Sequence, residues 1–135
     1  MTIESRYLLL CRWSLSFLWI FTALTSLVWG RDIGYEILSH QHIAGVLADA
    51  CIIAGSFIDV VFGIWLLTNY HLRLSYKLQI AVILTYSILL SVIEPSFWLH
   101  PFGPLTKNIP ILALLFLLLN AEKQKFISGN PHNKP

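Results

Sequence analysis

Three strongly polar residues interrupt the long apolar runs of this sequence, and they are the first candidates for chemistry. They are Arg12, Asp59 and Gln79. A charge or an amide deep in an apolar environment is costly, so it normally pairs with another group or serves a ligand, an ion or a proton. At a rise of about 1.5 Å per residue, all three would lie roughly 7–12 Å inside the same side of a bundle of antiparallel helices. We therefore predict a polar cluster in which Arg12 pairs with Asp59 and Gln79 lies beside them.

A second acid, Asp49, shares one helical stripe with Asp59. The stripe repeats at intervals of four, three, four, three and four residues, through Gly45, Asp49, Ile52, Ser56, Asp59 and Gly63. Most of these residues are small or polar, and in lipid such a face packs against neighbouring helices because small residues let backbones approach closely. Two interpretations stay open. The stripe only packs helices together, or it forms a polar interior that binds a small molecule or conducts a proton.

The segment HPFGPLTKNIP, residues 100–110, breaks the apolar sequence with three prolines and a glycine. Proline restricts the backbone and glycine permits a tight turn, so the segment predicts a rigid connection. The residues that we assign to this structural motif are Pro101, Phe102, Gly103, Pro104 and Pro110. We also predict that Asn108 caps the helix that follows, because asparagine is a favoured N-cap residue.

The same segment could bind a ligand as well as form a turn. Lys107 and Asn108 at a helix N-terminus offer hydrogen-bond donors to an anionic or quinone-like headgroup. Lys107 could instead reach back to Glu94, to Asp49 or to the C-terminus of the third predicted span. The candidate ligand-binding residues are therefore Lys107, Asn108, Asp49 and Glu94.

The histidines and cysteines give weaker signals. Three histidines could gather a metal ion with two nearby acids, namely His40, His42, His100, Glu36 and Glu94. Histidines two residues apart in a loop are usually surface residues, so we predict no metal site. Cys11 and Cys51 would differ in depth by about 10 Å or more, beyond the ~7 Å reach of a disulfide. Thiol–disulfide catalysis is therefore not expected.

The overall composition indicates a membrane protein. Hydrophobic residues make up 56% of the 135 residues, charged residues make up 12%, and the mean hydropathy is +0.69. A soluble domain of this length would need more polar residues to cover its core. The formal net charge of +2 gives no basic field for nucleic acid, so nucleic acid is not an expected partner.

Four helices are predicted to cross the bilayer, because about 20 apolar residues span its hydrocarbon core. Their predicted bounds are 7–29, 43–67, 74–93 and 108–121. The expected architecture is an all-α, antiparallel four-helix bundle in one domain, residues 1–121. A polar and mobile C-terminal tail, residues 122–135, would follow this domain.

The distribution of charge predicts the orientation. Six basic residues would lie on the side that holds both termini, namely Arg6, Arg73, Lys77, Lys123, Lys125 and Lys134. The opposite side would hold two basic residues diluted by three acids, namely Arg31, Lys107, Asp32, Glu36 and Glu94. Cytoplasmic segments carry the excess of lysine and arginine, so both termini are predicted to be cytoplasmic.

Three segments resemble the DoxX-like family of small four-helix membrane proteins. They are GYEILSHQHIAGVLADACIIAGSFIDVVFGIWLL, LQIAVILTYSILLSV and WLHPFGPLTKNIPILALL. The most specific part is PFGPLxKNxP, from Pro101 to Pro110. Asp59, Gly63 and Leu66 also resemble the family's second span, and Gln79 and Tyr86 resemble its third.

The resemblance implies a membrane component in the bacterial cytoplasmic membrane, associated with sulfur oxidation, quinone reduction or redox detoxification. This branch is similar to domains fused to, or encoded beside, NAD(P)-binding epimerase-like reductases. The resemblance carries over no catalytic residue. It leaves the cofactor open, with a quinone as one candidate.

Three functions stay open, all in contact with the lipid bilayer. We favour a non-catalytic subunit or anchor of a quinone- or NAD(P)-linked redox system, which predicts a stable enzyme partner. The second function is an autonomous quinone- or lipid-binding oxidoreductase component, alone or as a homo-oligomer, that loses its ligand on Lys107→Ala or Asn108→Ala. The third is a small proton-coupled transporter that uses Arg12, Asp49 and Asp59.

Overall fold

The computed structural model of the chain describes residues 3–39, 42–101 and 103–129. This part of the chain forms five α-helices, a short 3-10 helix and no strand, so the predicted all-α class is confirmed for it. In chain order the elements are α1 (Ile3–Val28), α2 (Arg31–Ser39), α3 (Val46–Leu67), α4 (Leu72–Ile93), the 3-10 helix (Pro95–Trp98) and α5 (Asn108–Ser128).

Three of these helices are long and apolar enough to cross a membrane. Within the described residues they are Glu4–Val28, Val46–Leu67 and Leu72–Ile93. Each exceeds the roughly 20 residues that a bilayer core requires. Large apolar side chains also point away from the other helices, as on Phe17, Phe57 and Ile88, which are about two-thirds exposed. Such a surface is suited to contact with lipid rather than water.

Helix α5 differs from the predicted fourth span. It continues through Ser128, past the predicted end at residue 121, and so includes part of the predicted tail. Lys125 forms an ion pair with Glu122 at 2.9 Å, and the Arg73 guanidinium lies 4.1 Å from the centre of the Phe126 ring. These contacts give the polar end of α5 a structural reason to stay helical.

The long helices pack in a ring, with α1 against α3, α3 against α4, α4 against α5 and α5 against α1. The contact between α1 and α3 is close at Gly63, whose carbonyl oxygen accepts a 2.7 Å hydrogen bond from the Ser16 hydroxyl. A Cβ atom at Gly63 would collide with the Ile20 side chain. The predicted stripe of small residues on α3 therefore includes a point of direct backbone approach.

A packed layer of aromatic and amide side chains lies inside the ring. The Trp19 and Phe62 rings contact each other at a centroid distance of 5.2 Å. The Trp19 indole nitrogen donates to Gln79 Oε1 at 2.7 Å, and Gln79 Nε2 donates to the Ser75 hydroxyl at 2.9 Å. Gln79 is fully buried, and both ends of its amide are hydrogen-bonded in this layer.

The short helix α2 was not predicted from the sequence. It connects α1 to α3 and packs against both. Asp49 in the first turn of α3 accepts hydrogen bonds from Arg31 Nη2, at 3.2 Å, and from the Tyr35 hydroxyl. The hydrogen bond between Arg31 and Tyr35 raises the pKa of Arg31, so its guanidinium stays charged beside the carboxylate. Asp49 thus attaches α2 to the start of α3.

Candidate functional site

A cavity of about 380 Å³ lies between α1, α3, α4, the start of α5 and the covering helix α2. We call it the main cavity. Its polar lining includes Ser56, Asp59, Tyr86, Lys107 and Asn108. Apolar side chains such as Trp19, Ile83, Leu90 and Ile111 form much of its wall. The cavity extends from the start of α5 to the middle of α3.

Lys107 and Asn108 enter the main cavity from the turn that precedes α5. Gly103 has a φ of +53°, a conformation that glycine adopts readily, and a Cβ atom there would collide with the Thr106 hydroxyl. Leu105 is fully buried and anchors the turn. The structural motif predicted from the sequence also includes Phe102, which lies outside the described residues.

The predicted capping role of Asn108 is wrong. Asn108 is the first residue of α5, and Lys107 occupies the cap position without a side-chain cap. The backbone nitrogen of Lys107 already donates to the Gly103 carbonyl at 3.0 Å, so the turn leads into the helix without a side-chain acceptor. The Asn108 amide instead donates to the Ser87 hydroxyl on α4 at 2.9 Å. This bond ties the start of α5 to α4.

Two polar groups in the main cavity have no hydrogen-bond partner in the part of the chain that the structure describes. The Ser56 hydroxyl oxygen is buried without a hydrogen bond, and Ser56 as a whole is 3% exposed. No hydrogen bond or ion pair joins the Asp59 carboxyl group to another described residue. A buried polar group left unpaired costs about 1–3 kcal/mol, so the Ser56 hydroxyl is suited to bind a ligand. The Asp59 carboxyl group, which is partly exposed, offers a second unpaired polar group in the same cavity.

Gly55 widens the cavity beside Tyr86. A Cβ atom at Gly55 would lie 3.2 Å from the Tyr86 hydroxyl oxygen. Three residues of the stripe predicted from the sequence, Ile52, Ser56 and Asp59, also line the main cavity.

The predicted cluster of Arg12, Asp59 and Gln79 does not form in the structure. Arg12 Nη1 donates to Asn69 Oδ1 at 2.9 Å, and Gln79 bonds to Trp19 and Ser75. Arg12 lines a second cavity, of about 320 Å³, whereas Asp59 lines the main cavity. Gln79 is part of the packed layer, and Arg12 and Asp59 line cavities on either side of this layer.

The four candidate ligand-binding residues do not lie together in the structure either. Lys107 and Asn108 line the main cavity, whereas Asp49 and Glu94 do not. Asp49 is occupied by Arg31 and Tyr35, and Glu94 Oε1 accepts a hydrogen bond from the Ser96 hydroxyl at 2.5 Å. Of these four residues, the ligand-binding hypothesis therefore retains Lys107 and Asn108.

The contribution of α2 to the cavity was missed by sequence reasoning. Gly34, Ile37 and Leu38 line the main cavity from this helix. Two features of the sequence indicate this helix. Ile33, Ile37 and Leu38 have helical spacing, and they follow Asp32, an acid suited to a helix N-terminus.

No metal-binding cluster of three histidine, cysteine, aspartate or glutamate side chains occurs within residues 3–39, 42–101 and 103–129. Cys11 and Cys51 are free thiols. His40, one of the three histidines considered from the sequence, lies outside the described residues.

Comparison with known proteins identifies a family. No curated protein and no solved structure matches the chain. The sequence pattern of the DoxX-like family matches residues 16–116, which is well over half of the chain. The matched region contains all the polar residues named in the main cavity and excludes Arg12. The chain therefore belongs to the DoxX-like family, as its motifs suggested.

Proposed function

We propose that this chain is a membrane component of a redox system and that its main cavity binds the headgroup of a quinone. The observation that carries the proposal is the combination of Lys107 and Asn108 with Ser56 and Asp59 in one largely apolar cavity. Its volume of about 380 Å³ falls in the range of small-molecule sites, which combine apolar walls with a few polar groups.

The lining suits the chemistry of a quinone ring. The two ring carbonyl oxygens accept hydrogen bonds, and the Lys107 ammonium, the Ser56 hydroxyl and the Tyr86 hydroxyl are donors. In the hydroquinone form the ring hydroxyls donate, and the Asp59 carboxylate is a suitable acceptor. The apolar wall accommodates the ring faces and the start of a hydrocarbon tail.

The proposed membrane arrangement is an antiparallel four-helix bundle with both termini in the bacterial cytoplasm. The ring of α1, α3, α4 and α5 supports the bundle. The apolar first half of α5 would complete the fourth crossing, with its charged second half at the membrane surface. The basic residues near the termini support the orientation.

In this proposal the chain supplies a quinone site to a larger redox system. An NAD(P)-linked enzyme is the partner that the family resemblance favours, which retains the subunit role expected from the sequence. The transporter alternative loses support, because Arg12 and Asp59 line separate cavities on either side of the packed layer.

The proposal is tested by measuring the quinone that copurifies with the protein. The protein is extracted from its own membrane in mild detergent, and quinone per protein is measured by mass spectrometry after solvent extraction. We expect Lys107→Ala and Asn108→Ala to retain about tenfold less quinone, since a hydrogen bond to a charged group contributes about 1.5–3 kcal/mol and a neutral one somewhat less.

The matched control is Lys77→Ala, which removes an exposed lysine of α4 that lines neither cavity. It should retain the quinone content of the unaltered protein. An unaltered protein without quinone, or equal quinone in the Lys107 and Lys77 variants, would contradict the proposal.

A further inference from the structure

We propose that the second cavity binds a phosphate group. The cavity has a volume of about 320 Å³ and lies at the end of the molecule where α1 begins and α5 ends. Its polar lining includes Arg12, Asn69, Tyr76, Glu122 and Lys125. This site is separate from the proposed quinone site and does not depend on it.

No acid among residues 3–39, 42–101 and 103–129 forms an ion pair with Arg12. Its Nη1 donates to the neutral oxygen of Asn69 at 2.9 Å, and its buried Nε has no hydrogen-bond partner. The one acid in the lining, Glu122, is paired with Lys125 at 2.9 Å. Two cations and one acid leave the lining with one net positive charge, so an anion is the ligand that would complete it.

A phosphate group matches the donors that remain. With Nη1 held by Asn69, Arg12 can present Nε and Nη2 to two oxygens, the bidentate geometry in which arginine binds phosphate. The Tyr76 hydroxyl and the amide nitrogen of Asn69 are further donors in the lining. Lys125 adds charge from the facing helix.

The position of the cavity favours a phospholipid as the source of the phosphate. Arg12 lies about 7 Å inside the first apolar run, within reach of the headgroup layer. Leu8, Leu9 and Leu118 also line the cavity and suit the upper part of an acyl chain. Of its lining residues only Asn69 and Tyr76 fall within residues 16–116, so most of the site lies outside the matched family region.

The test compares two lipids that differ in the phosphate-containing headgroup. Purified protein is titrated with dioleoyl phosphatidylglycerol or with dioleoylglycerol, which has the same chains and no phosphate, and bound lipid is measured by native mass spectrometry. We expect phosphatidylglycerol to bind the unaltered protein about tenfold more tightly, in line with a charge-assisted hydrogen bond. Equal binding of the two lipids to the unaltered protein would overturn the proposal without requiring any variant.

Variants then locate the site. Arg12→Gln should remove most of the preference for phosphatidylglycerol, and Lys125→Gln should reduce it, whereas Lys77→Gln should keep it. An unchanged preference in Arg12→Gln would overturn the assignment to this cavity. The quinone content of Arg12→Gln should equal that of the unaltered protein, so failure of this proposal and failure of the quinone proposal are distinguishable.

Inorganic phosphate distinguishes the two sources of the ligand. If phosphate at millimolar concentration displaces phosphatidylglycerol in an Arg12-dependent manner, the site accepts a soluble phosphate. If only the lipid binds, the site is specific for a phospholipid headgroup. Both results support phosphate recognition by Arg12.

Discussion

Gln79 connects α4 to α1 through its side-chain amide, and Trp19 extends this connection to α3. It accepts a hydrogen bond from Trp19 on α1 and donates one to Ser75 on its own helix, and Trp19 in turn contacts Phe62 on α3. Since all these side chains are buried, each hydrogen bond is made where water cannot replace it.

The substitution Gln79→Leu should therefore destabilise the protein. It leaves the Trp19 indole N–H buried without an acceptor, which costs about 1–3 kcal/mol of unfolding free energy. Circular dichroism during denaturation in mixed micelles measures the change.

The double variant Trp19→Phe with Gln79→Leu is the matched control, because it removes donor and acceptor together. Its cost should be smaller than the sum of the two single costs. Additive costs, or no cost for Gln79→Leu alone, would show that this hydrogen bond does not stabilise the fold.

The polar residues show what sequence reasoning could and could not find at this scale. Their depth in the apolar runs identified Arg12, Asp59 and Gln79 as buried or partly buried. Depth does not fix the rotation of a helix about its axis, and this rotation decides which neighbour a side chain meets. Arg12 consequently bonds to Asn69 in the α3–α4 connection, a residue that lay outside every predicted apolar run.

At the scale of elements, α2 covers one end of the main cavity and makes few contacts with α1 and α3. None of its residues is buried, and Asp49 holds it through Arg31 and Tyr35. The ion pair between Arg31 and Asp49 is nearly half exposed, so it contributes little to global stability. Its main effect is on the position of α2.

The substitution Asp49→Asn should loosen α2 without unfolding the protein. We expect faster amide hydrogen exchange across residues 31–39 and little change at α3 or α4, because local opening needs less free energy than global unfolding. Hydrogen exchange with mass spectrometry makes the comparison.

Glu36→Gln is the control for this experiment, since Glu36 is an exposed acid on α2 itself. It should leave exchange across α2 unchanged. Equal acceleration in both variants would mean that Asp49 has no specific role in attaching α2.

Helices α1, α3 and α4 could be predicted because each is one long apolar run. Helix α2 escaped prediction because it is short and its apolar residues are spaced among charges. The C-terminal end of α5 could not be predicted because the contacts that stabilise it join residues far apart in sequence, such as Arg73 and Phe126. The composition of its polar end resembles that of a mobile tail.

At the scale of the whole molecule, the proposed orientation makes opposite ends of the bundle accessible from opposite sides of the membrane. The accessible side of each end can be measured with single cysteines, introduced after Cys11 and Cys51 have been replaced by serine. We expect a membrane-impermeant maleimide to label Glu36→Cys in intact cells and to label Ser128→Cys only after lysis. Both positions are exposed in the structure, so burial does not hide either of them.

The reverse labelling pattern would invert the orientation. Labelling of both positions in intact cells would mean that these two sites face the same side, which is incompatible with the proposed number of crossings.

The packed layer of Trp19, Phe62 and Gln79 has a consequence for permeability. The main cavity and the second cavity lie on opposite sides of this layer, and neither is lined by Gln79 or Phe62. In a bundle that crosses the bilayer as proposed, these side chains form a seal between two water-accessible recesses. The chain can then bind ligands at both membrane faces without creating a leak that dissipates the ion gradient.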